Sequence, residues 1–264
     1  MIKLFKAACL SFTLATVTGT SAMSASACNE MRFIALQGSE DSELAIKLNG
    51  ALLVRHGGPH VNAVPADLLL EGENLLEMEL TTSRADATAK AELFVGCEGA
   101  FPEEPGQNPN SLLLLHQDGN GKQSAFFQSG PVPQLSYLKA EPGSDEGLRD
   151  AIRKLLTAAR KGDVAAYLSL LSPMINDLPL QNGPPPQMIE AMLTDLLSGQ
   201  FDIIATPDIR IRKILKGRAY QVTTADNRGP ITFSPKGSKD GAGFEVTQGA
   251  FWIKTSEGWK VFRL

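Results

Sequence analysis

The stretch Ser144–Leu171, SDEGLRDAIRKLLTAARKGDVAAYLSLL, decides the fold. Leu148, Ala151, Ile152, Leu155, Leu156 and Ala159 recur at i, i+3, i+4 and i+7, the spacing of one face of an amphipathic helix. Ser144 is placed to cap it, and Asp145 and Glu146 set negative charge at the positive end of its dipole. Arg160 and Lys161 stand at the other end, and Gly162 is free to adopt a left-handed stop. Asp163 then caps a second helix with Val164, Tyr167, Leu168 and Leu171 on its apolar face, and Pro173 limits its length. Beyond Pro184-Pro185-Pro186, a third stripe runs through Met188, Ile189, Met192, Leu193, Leu196 and Leu197 to Gly199.

Outward from these helices, the period changes to two. Ile209 and Ile211 alternate with Arg210 and Arg212, and a phase slip at Lys213–Ile214 predicts a bulge or bend. Lys216-Gly217 turns the chain into Tyr220, Val222 and Thr224. Asn227 to Pro230 turns it into Ile231 and Phe233. A run opening at Phe244 and Val246 continues through Phe251 and Ile253, and Glu257-Gly258 leads into Trp259 and Val261. Helices followed by antiparallel strands imply an α+β layer, the helices covering one face of a curved sheet.

Paired helices, a third helix and strands closing in GAFWIKTSEGWKVFRL resemble the NTF2-like superfamily, which includes the SnoaL and ketosteroid-isomerase relatives. The likeness covers roughly residues 145–264. It implies a cone in which three helices pack on a curved antiparallel sheet around an apolar pocket. Members of that family include enzymes and also proteins that only bind or pair, so a homodimer is among the arrangements the resemblance allows.

The chain opens with Lys3 and Lys6, an apolar stretch from Ala7 to about Val17, and small residues reaching Ala25-Ser26-Ala27. That pattern is a secretory signal peptide over residues 1–27, too short for a membrane span, with cleavage after Ala27. Cys28 at the new terminus also fits a lipoprotein, but Ala25 stands where acylation sites usually carry Leu. The mature chain of about 237 residues is long enough for two domains. Removing Lys3 and Lys6 from 25 basic residues leaves 23 against 29 acidic ones, which argues against a nucleic-acid footprint. No other apolar run is long enough to span a membrane. Cys28 and Cys97 form an even pair suited to an oxidising compartment. A bridge between them closes a loop of about 70 residues, worth ~4 kcal/mol in the chain-entropy model.

The mature amino-terminal half, residues 28–130, has the grammar of a β-sandwich. Leu44, Ile46 and Leu48 alternate, and Asn49-Gly50 is a strong hairpin signal leading to Ala51–Arg55. Leu76, Met78 and Leu80 interleave with Glu77 and Glu79, and Ala89 to Cys97 alternates again. Leu112–Leu115 and Ala125–Phe127 flank Asp118-Gly119-Asn120-Gly121 as a plain hairpin. EGENLLEMEL is similar to the strand entry of accessory sandwich domains, carbohydrate-binding ones among them. Residues 99–110 are read as a surface loop. Residues 131–144, rich in proline, are read as a semi-rigid linker that brings the two domains into contact.

Candidate chemistry is sparse. His56 and His60 share a loop with no third ligand nearby, and His116 is remote in sequence, so no metal is expected. Asp118 to Lys122 imitates a calcium loop but has Ser129 where the twelfth-position carboxylate belongs. There is no phosphate cradle and no nucleophile elbow, and residues 145–264 contain no histidine. A carboxylate base of the ketosteroid-isomerase type remains, and Asp177 lies in the right part of the chain. INDLPLQNG matches no family motif there, and Asp177 is read as an exposed loop residue. Tyr167, Phe201, Tyr220, Phe251 and Trp252 are the aromatics available to line a cone, or to fill a core.

The expectation is a periplasmic or secreted binding protein without cofactor or catalysis, whose carboxy-terminal domain holds a protein partner or a small apolar ligand. An isomerase or hydrolase with an aspartate base is the first alternative. Glycan binding through the sandwich is the second, disfavoured because residues 31–128 contain Phe but no Trp or Tyr for sugar stacking.

Overall fold

Two-residue alternation builds the first half of the molecule. The strands are β1 (Glu30–Gly38), β2 (Ser42–Leu48), β3 (Ala51–Gly57), β4 (Asn62–Pro65), β5 (Gly72–Thr82), β6 (Thr88–Cys97), β7 (Ser111–Asp118) and β8 (Gly121–Ser129). They form two four-stranded antiparallel sheets, β4-β1-β6-β7 and β3-β2-β5-β8. Along β5, Leu76, Met78 and Leu80 are buried while Glu77 and Glu79 reach solvent. Ile34, Leu36, Ala91 and Leu93 of the first sheet join Leu44, Ile46, Leu76 and Met78 of the second in one apolar cluster. The computed structural model describes residues 28, 30–57, 62–65, 68–97, 99, 102–181, 183–237 and 245–263. The expected signal peptide, His60, Phe101 and Phe244 lie outside the described residues, as does the side chain of His56.

Local signals explain the hairpin between β2 and β3. Asn49 (φ 51°) and Gly50 (φ 81°) both take the left-handed conformation that a tight two-residue turn requires. Cys28 and Cys97 are disulfide-bonded, with Cα atoms 5.4 Å apart, tying the entry to β1 to the end of β6. The expected β7–β8 hairpin is corrected. The two strands are adjacent in sequence, but β7 pairs with β6 and β8 pairs with β5 in the other sheet. Asn120 is the reason the turn is held there: its Oδ1 accepts from Thr82 N–H (2.6 Å) and its Nδ2 donates to Thr82 C=O (2.7 Å). The calcium-like residues are thus a turn pinned to β5.

The second half contains α1 (Ser136–Lys139), α2 (Leu148–Lys161), α3 (Val164–Leu170), α4 (Ser172–Asp177) and α5 (Pro186–Leu196). Strands β9 (Phe201–Ala205), β10 (Arg210–Ile214), β11 (Ala219–Thr223), β12 (Ile231–Pro235), β13 (Val246–Gln248), β14 (Phe251–Thr255) and β15 (Gly258–Arg263) follow. The architecture is α+β. Gly162 (φ 63°) closes α2 and Asp163 Oδ1 accepts from Ala166 N–H (3.0 Å) at the start of α3, both as the sequence predicts. Ser144 does not cap α2; Gly147 (φ 78°) holds that position, with Trp259 Nε1 donating to the neighbouring Glu146 carbonyl (2.9 Å). Helix α3 stops at Leu170, short of Pro173 as the sequence predicts. Pro173 opens α4, where a missing N–H costs nothing.

The strands form two antiparallel sheets, β10-β11-β14-β15 and β13-β12-β9. The run expected to continue from Val246 through Ile253 divides between them at Gly249 (φ 77°). At Lys213–Ile214 the ladder stays in register with β11, so no bulge forms. The chain instead leaves β10 through left-handed Leu215 and Lys216.

Strand β11 is buried along its whole length because both of its faces are covered. Tyr220 and Val222, with Trp252, Trp259 and Val261, pack on Leu148, Leu155, Tyr167 and Leu193 of the helices. Ala219, Phe251, Ile253 and Phe262 face the opposite way and belong to the amino-terminal cluster. At this junction Gln221 Oε1 accepts from Leu52 N–H and Gln221 Nε2 donates to Leu52 C=O, both at 2.9 Å. One side chain thereby imitates the next strand beyond β3. Leu215 N–H donates to Asn49 C=O (2.9 Å) beside it.

Residues 131–144 are anchored at intervals of a few residues. Tyr137 is buried, donates to Leu69 C=O (2.8 Å) and packs its ring 5.3 Å from Phe262. Arg218 Nη1 donates to Leu138 C=O (2.6 Å), and Tyr220 Oη donates to Gly143 C=O. The Gln221→Ala variant orphans a buried donor and acceptor on Leu52. It should lose about 1–3 kcal/mol for each group. Urea unfolding of the variant checks this, and a change below about 0.5 kcal/mol would show that the exchange is not structural.

Candidate functional site

The clearest concave site lies where α2 faces the ends of β9, β10 and β12. Arg149, Ile152, Arg153 and Leu156 form one helical stripe at i, i+3, i+4 and i+7. Across from it stand Ala205, Thr206, Pro207 and Ile209, with Pro230 and Ile231 at the base, enclosing about 360 Å³. Ala205 and Ile231 are ladder partners, so the wall is continuous sheet. Thr206 N–H donates to Pro230 C=O (3.2 Å), which joins the two prolines' segments. Arg153 is ion-paired with Asp150 on the helix surface. Arg149 is exposed and makes no hydrogen bond or ion pair among the described residues.

Other depressions are less defined. A broad one of about 680 Å³ between α2 and α3 has charged walls, including Lys154, Lys161 and Asp163. A cleft of about 280 Å³ lies where Tyr137, Met174, Leu178 and Phe262 meet.

Four of the five aromatic candidates meet in one core, and Phe251 lies apart from them. Tyr167, Tyr220 and Trp252 are buried between helices and sheet. Tyr167 Oη donates to Gln248 Oε1, and Trp252 Nε1 to Gly249 C=O (2.6 Å). Burial pushes the Tyr167 phenol well above its ordinary value. Phe201 is half-buried at the border of that core, while Phe251 lies on the other side of the sheet, 6.0 Å from Phe262. None of the five lines the clefts described above. They are core residues, and the cleft residues Arg149, Arg153, Ala205 and Pro207 were not singled out by sequence reasoning. The missed signal is the short apolar run Phe201-Asp-Ile-Ile-Ala205, which is β9.

Two carboxylates are buried among the described residues, and both have structural partners. Asp177 is not an exposed loop residue: it ends α4 and is almost fully covered. Its Oδ2 accepts from Ser136 N–H (2.9 Å) and its Oδ1 from Ser136 Oγ–H (2.8 Å), so it clamps the start of α1. Glu92 Oε2 accepts from Gly106 N–H (2.8 Å) and Asn108 Nδ2 (2.6 Å), fixing the Gly106–Asn108 segment on β6. Burial alone would raise the Glu92 carboxyl, but the hydrogen bonds from Asn108, Ser111 and Gly106 outweigh it and hold the group below its ordinary range. His116 Nε2 lies 3.1 Å from Asp118 Oδ1 at the surface. Among the described residues no three His, Cys, Asp or Glu side chains gather as metal ligands, and no helix is long and apolar enough to cross a membrane.

The chain matches no known family model, no curated protein and no solved structure.

Asp177→Ala should cost about 1–3 kcal/mol by orphaning Ser136 N–H. It should also speed limited proteolysis within residues 131–144. A variant as stable and as protease-resistant as the native chain would overturn the structural role. For Glu92, a depressed native pKa means its contribution is present above the unfolded value and lost as pH falls through the native one. The stability gap between the native chain and Glu92→Gln should therefore be widest near neutral pH and narrow in acid. A gap that widens in acid contradicts the assignment.

Proposed function

We propose that this chain is an exported, non-catalytic binding protein: a β-sandwich followed by an NTF2-like cone, with an apolar ligand held in the cleft between α2 and the β9–β10 edge. The observation that carries the reading is the cleft itself, whose walls are Ile152, Leu156, Ala205, Ile209 and Ile231. Its volume lies at the lower end of small-molecule sites, which are mostly apolar with a few polar groups. The disulfide supports export to an oxidising compartment. The structural engagement of Asp177 and Glu92 argues against either as a general base. A protein partner is the second reading, favoured by Met188 (64% exposed) and Met192 (42%), one turn apart on α5 and flexible enough to adapt to another surface.

A neutral apolar dye, Nile red, tests the first reading on the full chain. Saturable binding at one site is expected. The Ala205→Trp variant, which fills the cleft from its sheet wall, should weaken binding at least about tenfold at unchanged thermal stability. Absence of saturable binding to the native chain, or equal binding by the variant, would refute it.

A further inference from the structure

Resting on that cleft reading, we infer that the occupant is a single alkyl chain with a carboxylate head, a medium-chain fatty acid, seated with its head at Arg149 and Arg153. Three observations converge on this class. The stripe on α2 alternates guanidinium and hydrocarbon: Arg149 and Arg153 are one turn apart, and so are Ile152 and Leu156. Like charges at i and i+4 repel. Arg153 is ion-paired with Asp150, while Arg149 has no ion-pair partner among the described residues. An anion over the stripe would meet the unpaired Arg149 guanidinium first and share Arg153 with Asp150, and a guanidinium suits a carboxylate. Asp208 is exposed next to the wall residues Pro207 and Ile209 but does not line the cleft.

The sheet wall selects against a peptide. Pro207 and Pro230 have no N–H, and the Thr206 N–H is already bonded to Pro230. An extended peptide laid on Thr206, Pro207 and Pro230 would find no free backbone donor there and would leave carbonyls of its own unpaired at those positions. A hydrocarbon has no such requirement. A cleft of about 360 Å³ also has room for one alkyl chain and not for the two of a diacyl lipid.

Calorimetric titration of the full chain with octanoate, decanoate and decanol, each below its aggregation threshold, is the test. Decanoate should bind about tenfold more tightly than decanol, the increment of one charge-assisted contact. Going from octanoate to decanoate should tighten binding about fourfold per methylene. The double variant Arg149→Gln/Arg153→Gln should bind decanoate and decanol alike. Equal affinities for decanoate and decanol in the native chain, or a decanoate preference that survives the double variant, would sink the anionic assignment and leave the apolar cleft standing. Nile red binding without any alkyl binding would remove the fatty-acid assignment alone. Failure of the dye and both alkyl ligands together would remove the cleft reading as well.

Discussion

Gln221 fills a position that a strand would otherwise occupy. Strand β3 is the edge of its sheet, and an edge carries backbone groups that must be paired, covered or left to water. The Gln221 amide has a donor and an acceptor at peptide-like spacing, so it pairs both groups of Leu52 from a buried position. Asn49, at the preceding turn, performs a similar service. Its Nδ2 donates to Leu68 C=O and Asn74 Oδ1 (both 2.8 Å), its Oδ1 accepts from Leu75 N–H (3.0 Å), and its carbonyl accepts from Leu215 N–H. These amides allow two antiparallel layers to meet without orphaned backbone. The strand β11 is consequently fixed from both faces, and every element packed on it inherits that fixed frame, including the helices that form one wall of the cleft.

The connection between the halves is part of that frame. Its prolines flank the short helix α1, and its polar groups are used as anchors: Ser136 on Asp177, Tyr137 on Leu69, and the carbonyls of Leu138 and Gly143 on Arg218 and Tyr220. Burying a carboxylate such as Asp177 is costly unless its oxygens are hydrogen-bonded, and here both are. The same economy explains Asn120 and Glu92. Residue types that suggest a cation loop or a general base are spent on holding turns and loops against strands.

What the sequence revealed was local. Asp163 as a cap, Gly162 as a stop, Asn49-Gly50 as a turn and the alternation along β5 are each decided by residues within a few positions of one another. The disulfide was legible from cysteine count. What remained hidden depends on distant partners. The separation of β7 from β8 is set by competition between β6 and β5 for strands that adjoin one another in sequence. Gln221 is buried and bonded to Leu52, more than a hundred residues away in the chain, so nothing local reveals its role. The short apolar run of β9 lacks the length that would separate strand from loop. One error had a remedy in the sequence itself. Phe251 and Trp252 are consecutive on a strand, so their side chains must point to opposite faces and cannot line one cavity.

The cleft's chemical inventory bears on the proposal that it holds a ligand. A general acid or base must gain and lose a proton near working pH, which restricts the role to groups such as His, Asp, Glu, Lys, Cys or Tyr. The residues that line this cleft offer guanidiniums, one threonine hydroxyl and aliphatic or proline surface. Arginine stays charged throughout the accessible pH range. It can therefore fix an anion's position but cannot exchange a proton with it. Threonine needs an adjacent base to act as a nucleophile, and no base lines the wall beside Thr206. Under the proposed reading, the aliphatic walls would hold a hydrocarbon and the exposed guanidiniums at the rim would orient an anionic head.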